Sequence, residues 1–262
     1  MYNPAEEGFS ERLCAIDRCQ LWLLRTLAMR YGDRLYLKGG LAMRALFGSL
    51  RLTKDIDFER APSLANESLR KSIKSALQAA ALGAGLVEPV IAITKDTRTT
   101  LRASLAARLR SGVEAIQYEV EVSGRGVPPP AHLVFVDVTP PVGYRMTRFS
   151  VASFDMHAMA ASKVMALHAD NRSVPRDVFD LGDLIANGAN PVPLLGGAAT
   201  KKLREAAGRT IERTAAIAWA RAETELLPYL PASVRQSLDA RAWDALCLHT
   251  AETVDAWLAE AA

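Results

Sequence analysis

Two periodicities of apolar residues alternate along the first 150 residues of the chain. Helical spacing runs through residues 10–31, where Ser10 is placed to cap the helix, and through residues 66–82. A shorter helix is predicted over residues 41–47, directly after a pair of glycines. Strands are predicted where short apolar or alternating runs occur, at residues 35–38, 55–58, 86–94, 116–122 and 132–138.

The pattern changes near residue 150, after the proline- and glycine-rich turn SGRGVPPP and the loop PPVGYRMTRFS. Beyond that point nearly every segment has helical periodicity, with loops predicted at residues 169–176 and 187–198. We therefore expect an α+β protein in two domains. A mixed sheet with flanking helices occupies residues 1–150, and a helical C-terminal domain occupies residues 151–262.

Composition narrows the functional classes. Half of the 262 residues are hydrophobic, which is enough for a sizeable core, and a net charge of +3 does not by itself indicate nucleic acid. The three cysteines lack metal-ligand spacing, and the histidines form no zinc ligand set. The N-terminus is unlike a signal peptide and no apolar run is long enough to span a bilayer, so we expect a cytoplasmic protein without a membrane partner.

The chemistry-bearing stretch is LYLKGGLAMRALFGSLRLTKDIDFE. Because residues i and i+2 of a strand share a face, Asp55 and Asp57 project together, and a divalent cation would relieve their repulsion. Magnesium prefers such carboxylates together with water and substrate phosphates. Gly39 and Gly40 allow the backbone close to a phosphate at the start of a helix, while Lys38 and a later arginine supply positive charge.

Either motif alone is usually a solvated turn or a strand end, but their combination in this order is more specific. Gly39-Gly40 followed by Asp55-Ile-Asp57-Phe resembles the first signature of the polymerase-beta-like nucleotidyltransferases, in which two acidic residues bind metal and a neighbouring strand carries a third carboxylate. The resemblance implies that fold for the mixed sheet. Asp137, in the apolar run HLVFVDVTP, is the first candidate for the third carboxylate. Glu119 and Glu121 are alternatives that also fit the wet face of a strand.

A second stretch, residues 154–185, resembles the AbiEii/AbiGii-type toxin branch of that superfamily, which has a helical lysine followed by Arg-Asp-x-x-Asp. Leu41 departs from the threonine that often follows the glycines in that branch. Taken by themselves, Lys163 also fits a surface charge, and Asp177 a favourable acid at a helix start. The positions that match the branch are Lys38, Gly39, Gly40, Arg51, Thr53, Lys163, Arg176, Asp177 and Asp180.

The resemblance implies a metal-dependent nucleotidyltransferase that attacks the α-phosphate of an NTP and releases pyrophosphate. It implies that Asp55, Asp57 and Asp137 hold Mg²⁺ or Mn²⁺. Lys163 would bind the nucleotide phosphates and Asp180 would complete the site. These five residues form the expected catalytic set. Arg51, Thr53, Arg176 and Asp177 join the glycines and Lys38 in nucleotide binding. It further implies a toxin that is neutralised by a cognate antitoxin protein.

The acceptor is the least determined part of the interpretation. Some related toxins resemble enzymes that extend the 3′ end of tRNA, so an RNA acceptor, with the tRNA 3′ end first, is expected. A basic stretch containing Arg98, Arg102, Arg108 and Arg110 supports RNA, although such runs are more often a solvated helix face. Two alternatives stay open, namely transfer to a protein hydroxyl and a catalytically inactive nucleotide-binding or interaction module.

Overall fold

A computed structural model describes residues 1–110, 112, 114–167, 174–195, 212, 214 and 216–261. The chain divides into two compact units, Met1–Phe154 and Asp155–Ala262. The division lies a few residues beyond the expected boundary at 150, because a strand at Phe149–Phe154 closes the first unit. None of the described helices has an apolar stretch long enough to cross a membrane.

The first unit is a seven-stranded sheet with three α-helices. The sheet is mixed, as predicted, and its strand order is β3-β4-β5-β2-β1-β7-β6. The helices are α1 (Glu11–Tyr31), α2 (Gly39–Leu46) and α3 (Asn66–Gly83). The strands are β1 (Leu35–Lys38), β2 (Asp55–Arg60), β3 (Val87–Asp96), β4 (Thr100–Arg108), β5 (Ala115–Ser123), β6 (Leu133–Val138) and β7 (Phe149–Phe154).

Strand β2 lies inside the sheet, antiparallel to β1 and parallel to β5. Its Ile56 and Phe58 are buried, whereas the residues between them carry carboxylates, so the strand alternates as the sequence predicts. Strand β1 also pairs in parallel with β7, where the Ser153 hydroxyl donates a hydrogen bond of 2.8 Å to the Leu37 carbonyl. The opposite ends of the order, β3 and β6, form the two sheet edges.

Helix α1 covers the sheet with an apolar face. The Ser10 hydroxyl accepts a hydrogen bond from the Leu13 amide at 3.3 Å, as expected of an N-cap. One polar network is buried with this helix, in which the Arg44 guanidinium donates to both carboxylate oxygens of Asp17, at 2.6 and 2.9 Å. The Tyr144 hydroxyl donates to the same carboxylate at 2.6 Å, which ties the β6–β7 connection to α1.

Two strands differ from the sequence prediction. The segment Thr100–Arg108, interpreted as a basic helix face, is strand β4, because Leu101, Ala103 and Leu105 alternate into the core while Arg102 lies on the other face. The segment Phe149–Phe154, assigned to a loop and the start of the helical region, is strand β7. Strand β4 pairs with β5 along its whole length, and the six-residue β7 is held in the sheet by its pairing with β6.

The second unit is helical in its described residues, as predicted. The Asp155 carboxylate caps its first helix by accepting from the Ala158 amide at 2.8 Å. A short helix lies inside the predicted loop 187–198, and most of the predicted loop 169–176 lies outside the described residues. The helices are α4 (Met156–Leu167), α5 (Pro175–Ala186), α6 (Val192–Leu195), α7 (Trp219–Glu225), α8 (Ala232–Ser237) and α9 (Ala240–Glu260).

Candidate active site

A row of charged residues crosses four adjacent strands of the first unit. Asp57 on β2 is in register with Lys38 on β1 and with Glu121 on β5, and Glu121 is in register with Arg102 on β4. Asp55, two residues before Asp57, lies on the same face of β2. The sheet therefore brings the predicted Asp-x-Asp pair beside a third carboxylate from β5.

The glycine pair lies against this row. Gly39 has a φ of +70°, a backbone conformation that favours glycine, and a Cβ at this position would lie 3.0 Å from the Cβ of Asp57 and overlap its carboxylate. Helix α2 begins at Gly39, and its Lys38 cap position supplies no side-chain hydrogen bond within the described residues. Backbone N–H groups at the start of α2 and the Asp57 carboxylate consequently share one small space.

Arg51 and Thr53 pack behind the second glycine. A Cβ at Gly40 would lie 2.8 Å from both Arg51 Nη2 and Thr53 Oγ1, so only glycine leaves room for these two buried side chains. The Thr53 hydroxyl donates to the Asp55 carbonyl at 3.1 Å and accepts from the Asp55 amide at 3.4 Å. Thr53 thereby fixes the backbone from which the first carboxylate projects.

Lys38 is held by an acid that the sequence interpretation did not single out. Its ammonium forms a 2.7 Å ion pair with Glu59 Oε2, and the Glu59 side chain is only 3% exposed. The other Glu59 oxygen accepts from the Arg125 and Gly126 amides at 2.7 and 3.1 Å. Asp55, Asp57 and Glu59 follow one another at i, i+2 and i+4, and this spacing is the signal by which Glu59 could have been found.

Glu121 and Arg102 form the strongest charge pair of the row. Arg102 Nη2 donates to Glu121 Oε2 at 2.5 Å, and Arg102 Nη1 lies 3.7 Å from Glu119 Oε2. Burial alone would raise the pKa of the Glu121 carboxyl, but the hydrogen bond and charge of Arg102, with the charges of Arg125 and Lys38, bring its pKa below the ordinary value. Glu121 is consequently ionised at neutral pH.

Asp137 lies elsewhere on the sheet. It is on edge strand β6, which is separated from β2 by β7 and β1, so three interstrand spacings of about 4.8 Å lie between Asp137 and the Asp55–Asp57 pair. Its carboxylate is exposed and accepts hydrogen bonds from Arg148, at 2.5 Å, and from Ser150, which together lower its pKa. The structure thus does not bring Asp137 to the pair, and it places the two alternatives, Glu119 and Glu121, directly beside it.

In the second unit, Lys163, Asp177 and Asp180 form one buried cluster between α4 and α5. The Lys163 ammonium donates to Asp177 Oδ1 at 2.7 Å and to Asp180 Oδ2 at 2.6 Å. The Asp180 side chain is fully buried and Lys163 is 8% exposed, which excludes an ordinary surface charge for the lysine. Arg176 is half-buried in the first turn of α5. Of the four residues singled out from the second motif, Lys163, Asp177 and Asp180 are therefore in direct contact.

The fit of a metal ion depends on the carboxylates of β2. Within the described residues, no three His, Cys, Asp or Glu side chains are gathered as a ready ligand set. Magnesium is usually held through one or two carboxylates, with waters and substrate phosphates as the other ligands. Asp55 and Asp57, facing the same side with the Gly39 backbone against Asp57, fit that mode of binding.

The basic stretch divides between different environments. Arg102 belongs to the charged row, and Arg108 pairs with Glu88 at 3.2 Å on exposed sheet surface. Arg98 lies in the turn between β3 and β4, and Arg110 follows β4. These arginines consequently do not form one continuous helix face.

Three comparisons with known proteins bear on the family and the fold of the chain. A family model described as nucleotidyl transferase AbiEii toxin, type IV TA system, matches residues 22–261. No curated protein sequence matches the chain. The crystal structure of JHP933 from Helicobacter pylori is 16% identical with a TM-score of 0.61, and the match covers 96% of this chain and 95% of that chain. A second solved structure, of a candidate nucleotidyltransferase from H. pylori, is 18% identical with a TM-score of 0.59, covering 96% of this chain and 98% of that chain.

Proposed function

Because the chain belongs to the AbiEii nucleotidyltransferase toxin family of type IV toxin–antitoxin systems, we propose that it transfers a nucleoside monophosphate from an NTP to an RNA hydroxyl. The 3′ end of tRNA is the proposed acceptor, and pyrophosphate is the leaving group. The observation that supports this chemistry best is the placement of Asp55, Asp57 and Glu121 on neighbouring strands beside Gly39. The family implies an antitoxin partner.

Asp55 and Asp57 are the proposed ligands of Mg²⁺, or of Mn²⁺. A bound divalent ion would supply charge stabilisation for the attacking and leaving oxygens of the phosphoryl group. Glu121, rather than Asp137, is the proposed third carboxylate, because it lies in register with Asp57 on the neighbouring strand.

The start of helix α2 is the proposed binding site for the NTP phosphates. Its N–H groups and dipole favour an anion, and Gly39 and Gly40 let the phosphate approach the backbone. Arg51 and Thr53 pack against Gly40 at this helix start, and Lys38 forms an ion pair with Glu59. In the C-terminal unit, Lys163 is proposed to bind nucleotide phosphate, as the family resemblance implies, together with Arg176, and Asp177 and Asp180 fix the position of its ammonium.

The test uses purified protein, Mg²⁺ and each of four α-labelled NTPs, with total RNA in one set and cell protein in the other. Asp57→Asn keeps the size of the side chain but removes its charge, and the exposed Asp33→Asn is the matched control. The proposal expects label in a tRNA-sized band with wild type and Asp33→Asn, and none with Asp57→Asn or with EDTA. Label that enters only protein would show the alternative acceptor, and transfer by Asp57→Asn at the wild-type rate would refute the site.

A further inference from the structure

A basic pocket lies at the end of β2 and β5 beyond the charged row. It has a volume of about 400 Å³, and three arginines line it together with Thr99, Gly124 and Gly126. Arg60 comes from the end of β2, Arg98 from the β3–β4 turn and Arg125 from the segment after β5. No acidic side chain is among the residues that line it.

The Arg60 guanidinium has a fixed position and an uncompensated charge. Its Nη1 donates to the Leu64 carbonyl at 2.8 Å and its Nη2 to the Arg98 carbonyl at 3.0 Å, while its buried Nε has no hydrogen-bond partner among the described residues. Carbonyl oxygens orient a guanidinium without cancelling its charge. A Cβ at Gly124 would lie 2.7 Å from Arg60 Cζ, so a glycine is needed to make room for this group.

Nearby acids are committed to other partners. Asp96, at the end of β3, lies 3.3 Å from Arg70 Nε and accepts from Asn66 at 3.2 Å. Glu59 pairs with Lys38 and accepts the backbone amides of Arg125 and Gly126, so it orders the segment that carries Arg125. Arg98 and Arg125 are both exposed, and neither has an ion-pair partner in the part of the chain that the structure describes.

We propose that Arg60, Arg98 and Arg125 bind a backbone phosphate of the acceptor RNA. This inference rests on the proposed function, because it assigns the second substrate of the same site. Asp57 and Glu59 share one face of β2 and are about 7 Å apart along the strand, and Glu59 accepts the backbone amides of Arg125 and Gly126, which line the pocket. Arg60, at odd spacing from Asp57, borders the pocket from the opposite face of β2. A strand of RNA that presents its terminal hydroxyl at Asp57 therefore has a phosphodiester within reach of the pocket. Arginine suits this ligand because its planar fork matches phosphate oxygens.

The experiment measures binding and transfer by the full chain in wild type, in the double variant Arg98→Ala/Arg125→Ala and in Gly124→Ala. Arg108→Ala is the matched control, since Arg108 is an exposed arginine of β4 that pairs with Glu88 outside the pocket. Fluorescein-labelled bulk tRNA reports acceptor affinity over a series of salt concentrations, and a fluorescent NTP analogue reports donor affinity. Thermal unfolding checks that each variant is folded.

The double variant should weaken tRNA binding by about tenfold or more and reduce the salt slope of log K by about 1, since one phosphate contact is lost. Gly124→Ala should weaken it in the same direction by displacing Arg60, and Arg108→Ala should bind like wild type. NTP affinity should be unchanged in all of them. Unchanged tRNA binding by the folded double variant would overturn the proposal, as would a loss of NTP affinity, which would place the donor triphosphate here. Failure of the proposed function is distinguishable, because wild type itself would then transfer no label to RNA.

Discussion

Replacement of Gly39 by alanine tests the contact between the glycine pair and the Asp-x-Asp strand. Gly48 provides a matched control, because it has the same φ of +70° but nothing within 4 Å of the position that its Cβ would occupy. Both substitutions impose the same backbone strain, of about 1–2 kcal/mol for a non-glycine residue in the left-handed region. Any further difference between the two variants therefore reports the overlap with Asp57.

The size of that overlap follows from the geometry. The Asp57 Cγ would lie 3.1 Å from the new Cβ and one carboxylate oxygen closer still, whereas ordinary contact begins at 3.4 Å. The carboxylate must consequently withdraw by about 1 Å, and a misplacement of that size costs about 10²-fold in rate. Leaving a preferred rotamer costs about 1 kcal/mol, so Gly39→Ala should be less stable than Gly48→Ala by about that amount.

The assay compares nucleotide transfer and urea unfolding for wild type, Gly39→Ala and Gly48→Ala. Gly48→Ala is expected to lose stability but keep its specific activity once the unfolded fraction is taken into account. Gly39→Ala is expected to lose both. Equal activity of the two folded variants would refute the reasoning, because it would show that the Gly39 backbone does not set the position of the Asp57 carboxylate.

Three further predictions concern the charged groups. Glu121→Gln should reduce transfer by about 10²-fold or more, while Asp137→Ala, on the sheet edge, should stay close to wild type; the reverse order of rates would restore Asp137 as the third carboxylate. Lys163→Ala removes the cation that Asp177 and Asp180 share, so it should lower the free energy of unfolding in urea by about 3–5 kcal/mol. Asp180→Asn keeps the ion pair between Lys163 and Asp177 and should lower it by less; an equal or larger loss would contradict this. Arg102→Gln should raise the pKa of Glu121. Because the wild-type pKa is lowered, the stability difference between wild type and Arg102→Gln should be full at neutral pH and shrink as the pH falls below the ordinary pKa of a glutamate carboxyl, about 4.3, and a constant difference would argue against the pair.

The sequence predicted the elements whose periodicity is strong. Helix α1 with its Ser10 cap and strand β1 lie where the pattern placed them, because a long amphipathic helix and a short apolar run ending in glycines have unambiguous local signals. Strands β4 and β7 were missed. In β4 the arginines drew attention to charge, although the alternation of Leu101, Ala103 and Leu105 was already the signal of a strand.

Only those parts of the site that depend on residues close together in the sequence could be predicted. Asp55 and Asp57 share a face because of strand geometry alone, whereas a joint role for Lys163 and Asp180 was expected only from the resemblance of the second motif to the toxin branch. The choice between Asp137 and Glu121 depends on which strands are neighbours. Strand order is a property of the whole sheet, and both residues have the same local pattern of an acid between apolar neighbours, so no local signal separates them.

The parallel pairing of β2 with β5 has a consequence for how the protein is made. Asp57 and Glu121 meet across strands that are more than 60 residues apart in the chain, with α3, β3 and β4 between them. Closing such a long loop delays this contact relative to local ones during folding, since the entropy of loop closure is lost before the pairing stabilises the sheet. The complete set of carboxylates therefore does not exist on a chain whose synthesis has passed only β2. A chain with this topology acquires the proposed set of carboxylates only after β5 has joined the sheet.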